Sequence, residues 1–113
     1  MALPLNLYKT VTKVVPTSPV GIYTAPVGYS SVVLLAQAVN IDTNTSTISL
    51  FHNRNVVGVA VTTEILKDFP IEGNDTISLL SGKLVLESGD SLAISASNDT
   101  NIKFIGSILE TLN

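Results

Sequence analysis

Hydrophobic and polar residues alternate with a period of two over the last third of the chain. The alternation runs through KLVLE (83–87), SLAISAS (91–97) and IKFIGSILE (102–110). The hydrophobic residues that fall on one common face are Leu84, Leu86, Leu92, Ile94, Ala96, Ile102, Phe104 and Ile108. Because successive side chains of a strand point to opposite faces, this pattern predicts three consecutive strands that bury one face in a core.

Short segments rich in Gly, Asn and Asp separate these strands and predict tight turns. Ser88-Gly89-Asp90 is interpreted as the turn of a β-hairpin, and Gly89 is expected to have a positive φ because the chain must reverse in about three residues. Asn98 to Asn101 predicts a second turn. The residues assigned to structural turns are Pro26, Gly28, Gly82, Gly89 and Asp90.

Strand signals also recur upstream at short spacing. SSVVLLAQAVNI (30–41) is apolar on both faces in its middle and predicts a central strand, while GIYTA (21–25) and TISLFH (47–52) predict shorter ones. Residues 53–55 are interpreted as a loop before the β-branched stretch 56–66. The further assignments are a bulge at Gly58, an irregular segment at 68–73, and a short strand or connector at 76–82. The pattern predicts an all-β fold, an antiparallel two-sheet β-sandwich or jelly roll.

The first 20 residues are predicted to form an extended N-terminal arm, with the sandwich domain spanning 21–113. Pro4, Pro16 and Pro19 favour extended chain with at most edge pairing, because proline has no amide donor. A free tail is usually polar, whereas this segment is rich in apolar side chains. We therefore expect it to be an assembly element that packs on a neighbouring subunit. Its interface residues are Leu3, Leu5, Leu7, Tyr8, Val11, Val14 and Val15.

Composition narrows the choice of partners. Hydrophobic residues make up 45% and charged residues only 13%, so the surface can be buried without stranding many ions. The net charge of −3 argues against a direct nucleic-acid ligand. No apolar run approaches the roughly 20 residues of a membrane helix, and the opening residues do not resemble a secretory signal. We expect a protein made in a cytoplasm, with no membrane partner.

The sequence offers little catalytic chemistry. His52 is the single histidine and no cysteine is present, which argues against a nucleophilic triad and a nitrogen or sulfur metal site. Turn carboxylates such as Asp42, Asp75 and Asp99 lack a calcium-loop spacing. The few glutamates form no marked acid pair for glycoside hydrolysis. We expect a non-enzymatic protein without cofactor or metal, in which His52 lies at a strand end.

Two segments carry a resemblance to a known group. IYTAPVGYSSVVLLAQAVNID (22–42), followed by SGKLVLESGDSLAISAS (81–97), resembles small virion proteins of tailed bacteriophages. In that group a Tyr-Thr-Ala-Pro-x-Gly turn opens a long apolar strand, and a Gly-Lys-Leu-x-Leu-x-x-Gly-Asp hairpin lies near the C-terminus. Here these positions are 23–28 and 82–90. The resemblance covers about residues 21–110 and leaves the arm outside.

The resemblance implies a structural protein of the virion, synthesised in the host cytoplasm and placed on the capsid surface, at the neck or in the tail. Its implied partners are other copies of itself, as a trimer or a higher oligomer, and other virion proteins. The alternative function is a receptor- or carbohydrate-binding module of a tail fibre. Such a module would need surface aromatic side chains clustered with Asn or Asp. A hydrolase is a third and weaker hypothesis.

Overall fold

A computed structural model describes residues 6–112 of the 113-residue chain. Nine strands form over this range. The described residues include no helix long and apolar enough to cross a membrane. The strands are β1 (Asn6–Val14), β2 (Val20–Thr24), β3 (Tyr29–Asn40), β4 (Ser46–Val56), β5 (Val59–Ile71), β6 (Thr76–Ser78), β7 (Leu84–Leu86), β8 (Ser91–Ala96) and β9 (Ile102–Leu112).

The strands form two sheets in which every paired neighbour is antiparallel. Sheet A has the order β1-β9-β3-β6. Its fifth strand, β7, also pairs with β3, at residues 31–33, whereas β6 pairs at residues 37–39. Sheet B has the order β2-β8-β4-β5. The chain crosses between the sheets repeatedly, which gives a jelly roll. The predicted all-β, two-sheet sandwich is confirmed, and β3 is central, since it has paired strands on both edges.

The core lies between the inner faces of the two sheets. Sheet A contributes Val33, Ile102 and Ile108, and sheet B contributes Leu50 and Ile94, all of them buried. The inward face predicted for the last third of the chain is confirmed from Leu86 to Ile108, while Leu84 is only partly buried. Burial of a Leu or Ile side chain stabilises a fold by about 1.5–3 kcal/mol, so this shared core dominates stability.

The predicted hairpin around Gly89 is wrong in one respect and right in another. Gly89 has a φ of 86°, so the positive φ is confirmed. The flanking strands do not pair with each other, however, because β7 pairs with β3 in sheet A and β8 pairs with β2 and β4 in sheet B. The turn therefore carries the chain from one sheet to the other. An inward face on both strands is equally compatible with either arrangement, since both sheets face the same core.

A long hairpin replaces the loop predicted at residues 53–55. These residues continue β4, which runs to Val56, and the reversal occurs at Val57-Gly58. Gly58 is thus a turn residue rather than a bulge. The segment expected to be irregular at 68–73 is strand as far as Ile71, and the short strand at 76–78 is β6. Asn is a poor strand former on average, but ten paired rungs with β5 override that preference at Asn53 and Asn55.

The described part of the predicted arm lies in the sandwich of its own chain. Residues 6–14 form β1, which pairs with β9 along its whole length as the edge strand of sheet A. Val15 is fully buried in the core, and its amide donates to the carbonyl of Ile102 at 2.9 Å. The expectation of an arm outside the body therefore does not fit residues 6–15. Contact of this segment with another subunit remains a prediction, and residues 1–5 lie outside the described residues.

Candidate assembly surface

The two resemblance motifs lie against each other in the fold. The amide of Ala25 donates to the carbonyl of Asp90 at 2.8 Å, and the amide of Gly89 donates to the carbonyl of Ala25 at 3.0 Å. The Ser88 hydroxyl accepts from the amide of Gly28 at 3.1 Å and donates to the carbonyl of Pro26 at 3.3 Å. Segments about sixty residues apart in sequence therefore form one hydrogen-bonded corner, where the chain enters β3 and β8.

Asp90 fixes this corner through its buried carboxylate. Its side chain accepts from the amide of Glu87 at 3.1 Å and lies 3.2 Å from Nε2 of His52. Nε of Arg54 lies 3.5 Å from the other carboxylate oxygen, and the Arg54 guanidinium also donates to the exposed carboxylate of Glu87. His52 and Arg54 come from β4, so the cluster ties that strand to the turn. This gives His52 a structural partner.

A second polar cluster joins the two sheets at the far end of β9. The hydroxyl of Tyr23, from sheet B, bonds to the Glu110 carboxylate and lies 2.8 Å from the Ser31 hydroxyl of sheet A. Nζ of Lys9 lies 3.5 Å from the same carboxylate. Burial, and then the hydrogen bond to Glu110, raise the pKa of Tyr23 to about 12. The phenol therefore stays protonated at neutral pH as a donor to Glu110, which is an arrangement for stability.

The outer face of sheet A carries one wholly apolar row. Antiparallel register aligns a row of four residues across β1, β9, β3 and β7: Tyr8, Leu109, Val32 and Val85. Tyr8 is 74% exposed and Val85 is 60% exposed. Sheet B is different, because the corresponding outer rungs carry small and polar residues beside Phe51, such as Ser91, Asn53 and Thr62. Of the two outer faces, that of sheet A is better suited to burial against another protein.

A shallow groove lies at the other end of the same face, with a volume of about 590 Å³. We call it the sheet A groove. It is lined by Thr12, Lys13, Val14, Val39, Lys103, Phe104 and Ile105. Val14 is 48% exposed and Ile105 is 43% exposed, so both present apolar surface to solvent. Its charged lining residues are two lysines, and no carboxylate lines it.

The end of the β4–β5 hairpin extends beyond the rest of sheet B. β8 pairs with β4 only as far as Asn53, whereas β4 and β5 continue together to the rung Val56–Val59. We call residues 55–61 (NVVGVAV) the hairpin tip. Val57 is 97% exposed and Val59 is 63% exposed, and the segment contains no charged residue. Four exposed valines on a two-stranded projection form a compact apolar surface.

The predicted interface residues of the arm are separated by the fold. Leu7, Tyr8 and Val14 are exposed, Val11 is partly buried against the core and Val15 is fully buried. Leu3 and Leu5 lie outside the described residues. Thus Tyr8 and Val14 remain available for an interface, on the outer face of sheet A, whereas Val15 serves the core of its own chain.

The turn residues predicted from sequence lie in two places. Pro26, Gly28, Gly89 and Asp90 meet in the corner described above, where Gly28 has a φ of 89°. Gly82 lies in the connection between β6 and β7. The hairpin tip was missed, because VVGVAV has the β-branched composition of a strand interior. The one available signal was Gly58, which the turn requires at a φ of 78°.

Comparison with known proteins relates the chain to others by fold. No protein-family model and no curated protein matches the sequence. A chain of the infectious bursal disease virus particle is similar to this protein at 11% identity and a TM-score of 0.56. The match covers 97% of this chain and 32% of the viral chain. The VP2 subviral particle of that virus is also similar, at 11% identity and a TM-score of 0.53, over 96% of this chain and 33% of the VP2 chain.

A bacterial structure is similar over nearly its full length. The pilus subunit of Bacillus endospore appendages is similar at 16% identity and a TM-score of 0.51, over 96% of this chain and 88% of the pilus subunit. The chain thus spans about a third of the viral chains and most of the pilus subunit. Those pili are described as disulfide-linked, whereas this sequence has no cysteine. The similarity establishes a shared jelly-roll fold.

Proposed function

We propose that this protein is a non-enzymatic structural subunit that assembles with copies of itself. The observation that carries the proposal is the apolar row on the outer face of sheet A, which Tyr8, Leu109, Val32 and Val85 form across four strands. Exposed apolar patches of this kind mark contact surfaces. The jelly-roll fold, shared with subunits of a viral particle and of a pilus, supports the same function.

We further propose that the assembly is a bacteriophage virion, in which the protein decorates the capsid or forms part of the neck or tail. The support comes from the sequence resemblance, whose two motifs pack together as one corner of the fold. Each motif supplies hydrogen-bond partners to the other, so this packing gives the paired motifs a physical reason to occur in one protein. Other virion proteins would then be the partners besides the protein itself.

The alternative of a receptor- or carbohydrate-binding module receives less support from the geometry. Among the aromatic residues, Tyr23, Tyr29 and Phe51 are candidates for a small stacking platform, which would require their side chains on one surface. Tyr23 instead bonds to Glu110 between the sheets, while Phe51 lies on a strand of sheet B and Tyr29 on a strand of sheet A. These aromatic side chains therefore do not form one stacking surface.

Sedimentation of the full chain over a wide concentration range tests self-assembly. We expect the mass to rise above that of the 11.9 kDa monomer as concentration increases. The variant Tyr8→Thr/Val85→Thr should associate more weakly, because it removes apolar surface from the outer row. Val27→Thr is the matched control, since Val27 is 90% exposed in a turn and is not a member of this row. A monomer at every concentration would contradict the proposal.

The virion part of the proposal needs a separate test. An antibody against this protein should label purified phage particles from an infected host at regularly repeated positions. Unlabelled particles, with the protein left in the soluble fraction, would contradict the virion assignment without affecting self-assembly. Removal of residues 1–5 is the appropriate probe of the N-terminal segment, because it leaves β1 and Val15 in place.

A further inference from the structure

The hairpin tip contains a residue that its own turn disfavours. Val57 and Gly58 have φ values of 52° and 78°, and positive φ at both central positions is what a type I′ turn requires. Asn-Gly and Asp-Gly are the preferred pairs in this turn. A β-branched residue with positive φ is a genuine outlier, because its Cβ crowds the backbone. Folding of the hairpin therefore does not account for valine at position 57.

Packing within the chain does not account for it either. Val57 is 97% exposed, and its neighbours Val56 and Val59 are 49% and 63% exposed. The nearest charged residue, Arg54, is engaged by Glu87 and Asp90. A strained and fully exposed valine at the end of a projection is explained if its side chain is buried in a complex.

The sheet A groove on another copy matches the tip in chemistry. Val14, Val39 and Ile105 offer apolar surface for the valines, and neither surface would bury an unpaired carboxylate. The lysines that line the groove, Lys13 and Lys103, are long enough to donate to turn carbonyls while their ammonium groups stay hydrated. The tip itself carries no charge, so it meets the two lysines without like-charge repulsion.

A membrane is a poorer match for the tip. Segments that sit at a lipid surface usually carry Trp or Tyr with Lys or Arg beside the apolar residues. The tip is flanked instead by Asn53 and Thr62, whose side chains hydrogen-bond to each other at 2.7 Å. Arg54 also flanks the tip, but its guanidinium is already paired with Glu87 and Asp90. A polar collar whose arginine is already paired fits a protein groove.

We propose that the hairpin tip of one copy, residues 55–61, inserts into the sheet A groove of a second copy. This inference rests on the proposed function and specifies one of its contacts. Tip and groove are different surfaces of one chain, so the contact is heterologous and every copy carries both halves of it. Such contacts close into rings or continue as filaments, according to the rotation between neighbours.

The size of the contact suggests how it is used. Four valines bury roughly 250–450 Å² on the side of the tip, which is below the ~800 Å² per partner of a standard stable interface. A single tip-in-groove contact should therefore be weak. Repetition around an assembly would strengthen it through effective concentration, together with the apolar row of sheet A.

Two complementary variants test the contact. Val57→Asn/Val59→Thr alters the tip, and Val14→Thr/Ile105→Thr alters the groove while keeping β-branched residues in the strands. Each should weaken self-association about tenfold or more, as measured by sedimentation equilibrium. The tip variant should also melt no lower than the wild type, because Asn-Gly suits the turn. Val27→Thr should leave association unchanged.

Mixing the two variants distinguishes the proposed geometry from other contacts. The groove variant keeps an intact tip and the tip variant keeps an intact groove, so the mixture should reach a higher average mass than either variant alone. If the mixture shows no such gain while the wild type associates, the tip-in-groove contact is wrong although self-assembly stands. A wild type that remains monomeric would overturn the proposed function as well. Binding of the tip to lipid vesicles, lost in the tip variant, would also contradict the proposal.

Discussion

The two glycine turns at 88–90 and 57–58 have similar backbone requirements and different surroundings. Gly89 has a φ of 86° and Gly58 a φ of 78°. The first turn is tied to residues 25–28 by backbone and side-chain hydrogen bonds and ends in the buried carboxylate of Asp90. The second ends a projecting hairpin, and Val57 beside its glycine is almost fully exposed. The first turn serves the fold, whereas the residues of the second are better explained by a contact outside the chain.

This comparison shows where sequence and fold are closely linked. At residues 88–90, Ser88, Gly89 and Asp90 each make hydrogen bonds that position two sheets. At 57–58, glycine is explained by its φ but valine is not. A residue that the local structure disfavours is therefore more informative about function than one that it requires.

The largest effect is expected at Asp90. Asp90→Ala should lower the free energy of unfolding by about 2–3 kcal/mol, because it removes a buried acceptor from the Glu87 amide and leaves His52 and Arg54 without it. Glu87→Ala is the matched control. Its carboxylate also bonds to Arg54 but is 68% exposed, so its loss should have little effect. Equal losses in urea denaturation would show that the corner does not depend on Asp90.

A smaller loss is expected at Gly89. Gly89→Val forces a β-branched residue to a positive φ in an anchored turn and should cost about 2 kcal/mol. Gly82→Val serves as the control, since an added Cβ there meets no atom within 4 Å and the backbone is not left-handed. Thermal unfolding monitored by circular dichroism gives the difference. An unchanged melting temperature for Gly89→Val would mean that the turn can be rebuilt without glycine.

The same substitution in the exposed turn should cost less. Gly58→Val also meets a positive φ, but the hairpin tip can fray without opening the core, so we expect a loss of about 1 kcal/mol or less. Hydrogen exchange should show the opening confined to residues near the tip. A loss as large as that of Gly89→Val would indicate that the hairpin end is coupled to the core, which would weaken the contrast between the turns.

The smallest expected effect has the opposite sign. Val57→Asn should raise the free energy of unfolding by about 0.5–1 kcal/mol, because asparagine tolerates positive φ and no packing is lost within the chain. Denaturation at low protein concentration, where self-association is negligible, gives this value. Destabilisation would show that Val57 has a folding role that its exposure conceals.

The inward face was predictable from sequence, while strand pairing was not. Leu86, Ile94 and Phe104 follow a period of two and are buried as expected. Period two reports only that a side chain faces the core, and both sheets face the same core. The pairing of β7 with β3 brings Val32 beside Val85, more than fifty residues away in sequence, and the local pattern does not report such a contact. For this reason the Gly89 turn was interpreted as a hairpin between neighbouring strands.

The candidate surface was only partly predictable. The apolar content of residues 7–15 indicated burial, yet sequence alone did not divide it between the core, which takes Val15, and the outer face, which exposes Tyr8 and Val14. The hairpin tip was hidden because valines at a turn look like a continuing strand. The structure reveals the tip, because β8 stops pairing with β4 at Asn53 while the β4–β5 hairpin continues beyond that point.

Site-specific cross-linking is the most direct test that the exposed turn contacts another copy. The sequence has no cysteine, so Val57→Cys and Ile105→Cys each introduce a single thiol. A disulfide forms only if the two Cα atoms approach to about 7 Å. After mild oxidation, we predict a cross-linked dimer in the mixture of the two variants and none with Val57→Cys alone. Cross-linking of Val57→Cys with itself, or no product in the mixture under conditions where the wild type associates, would contradict the account.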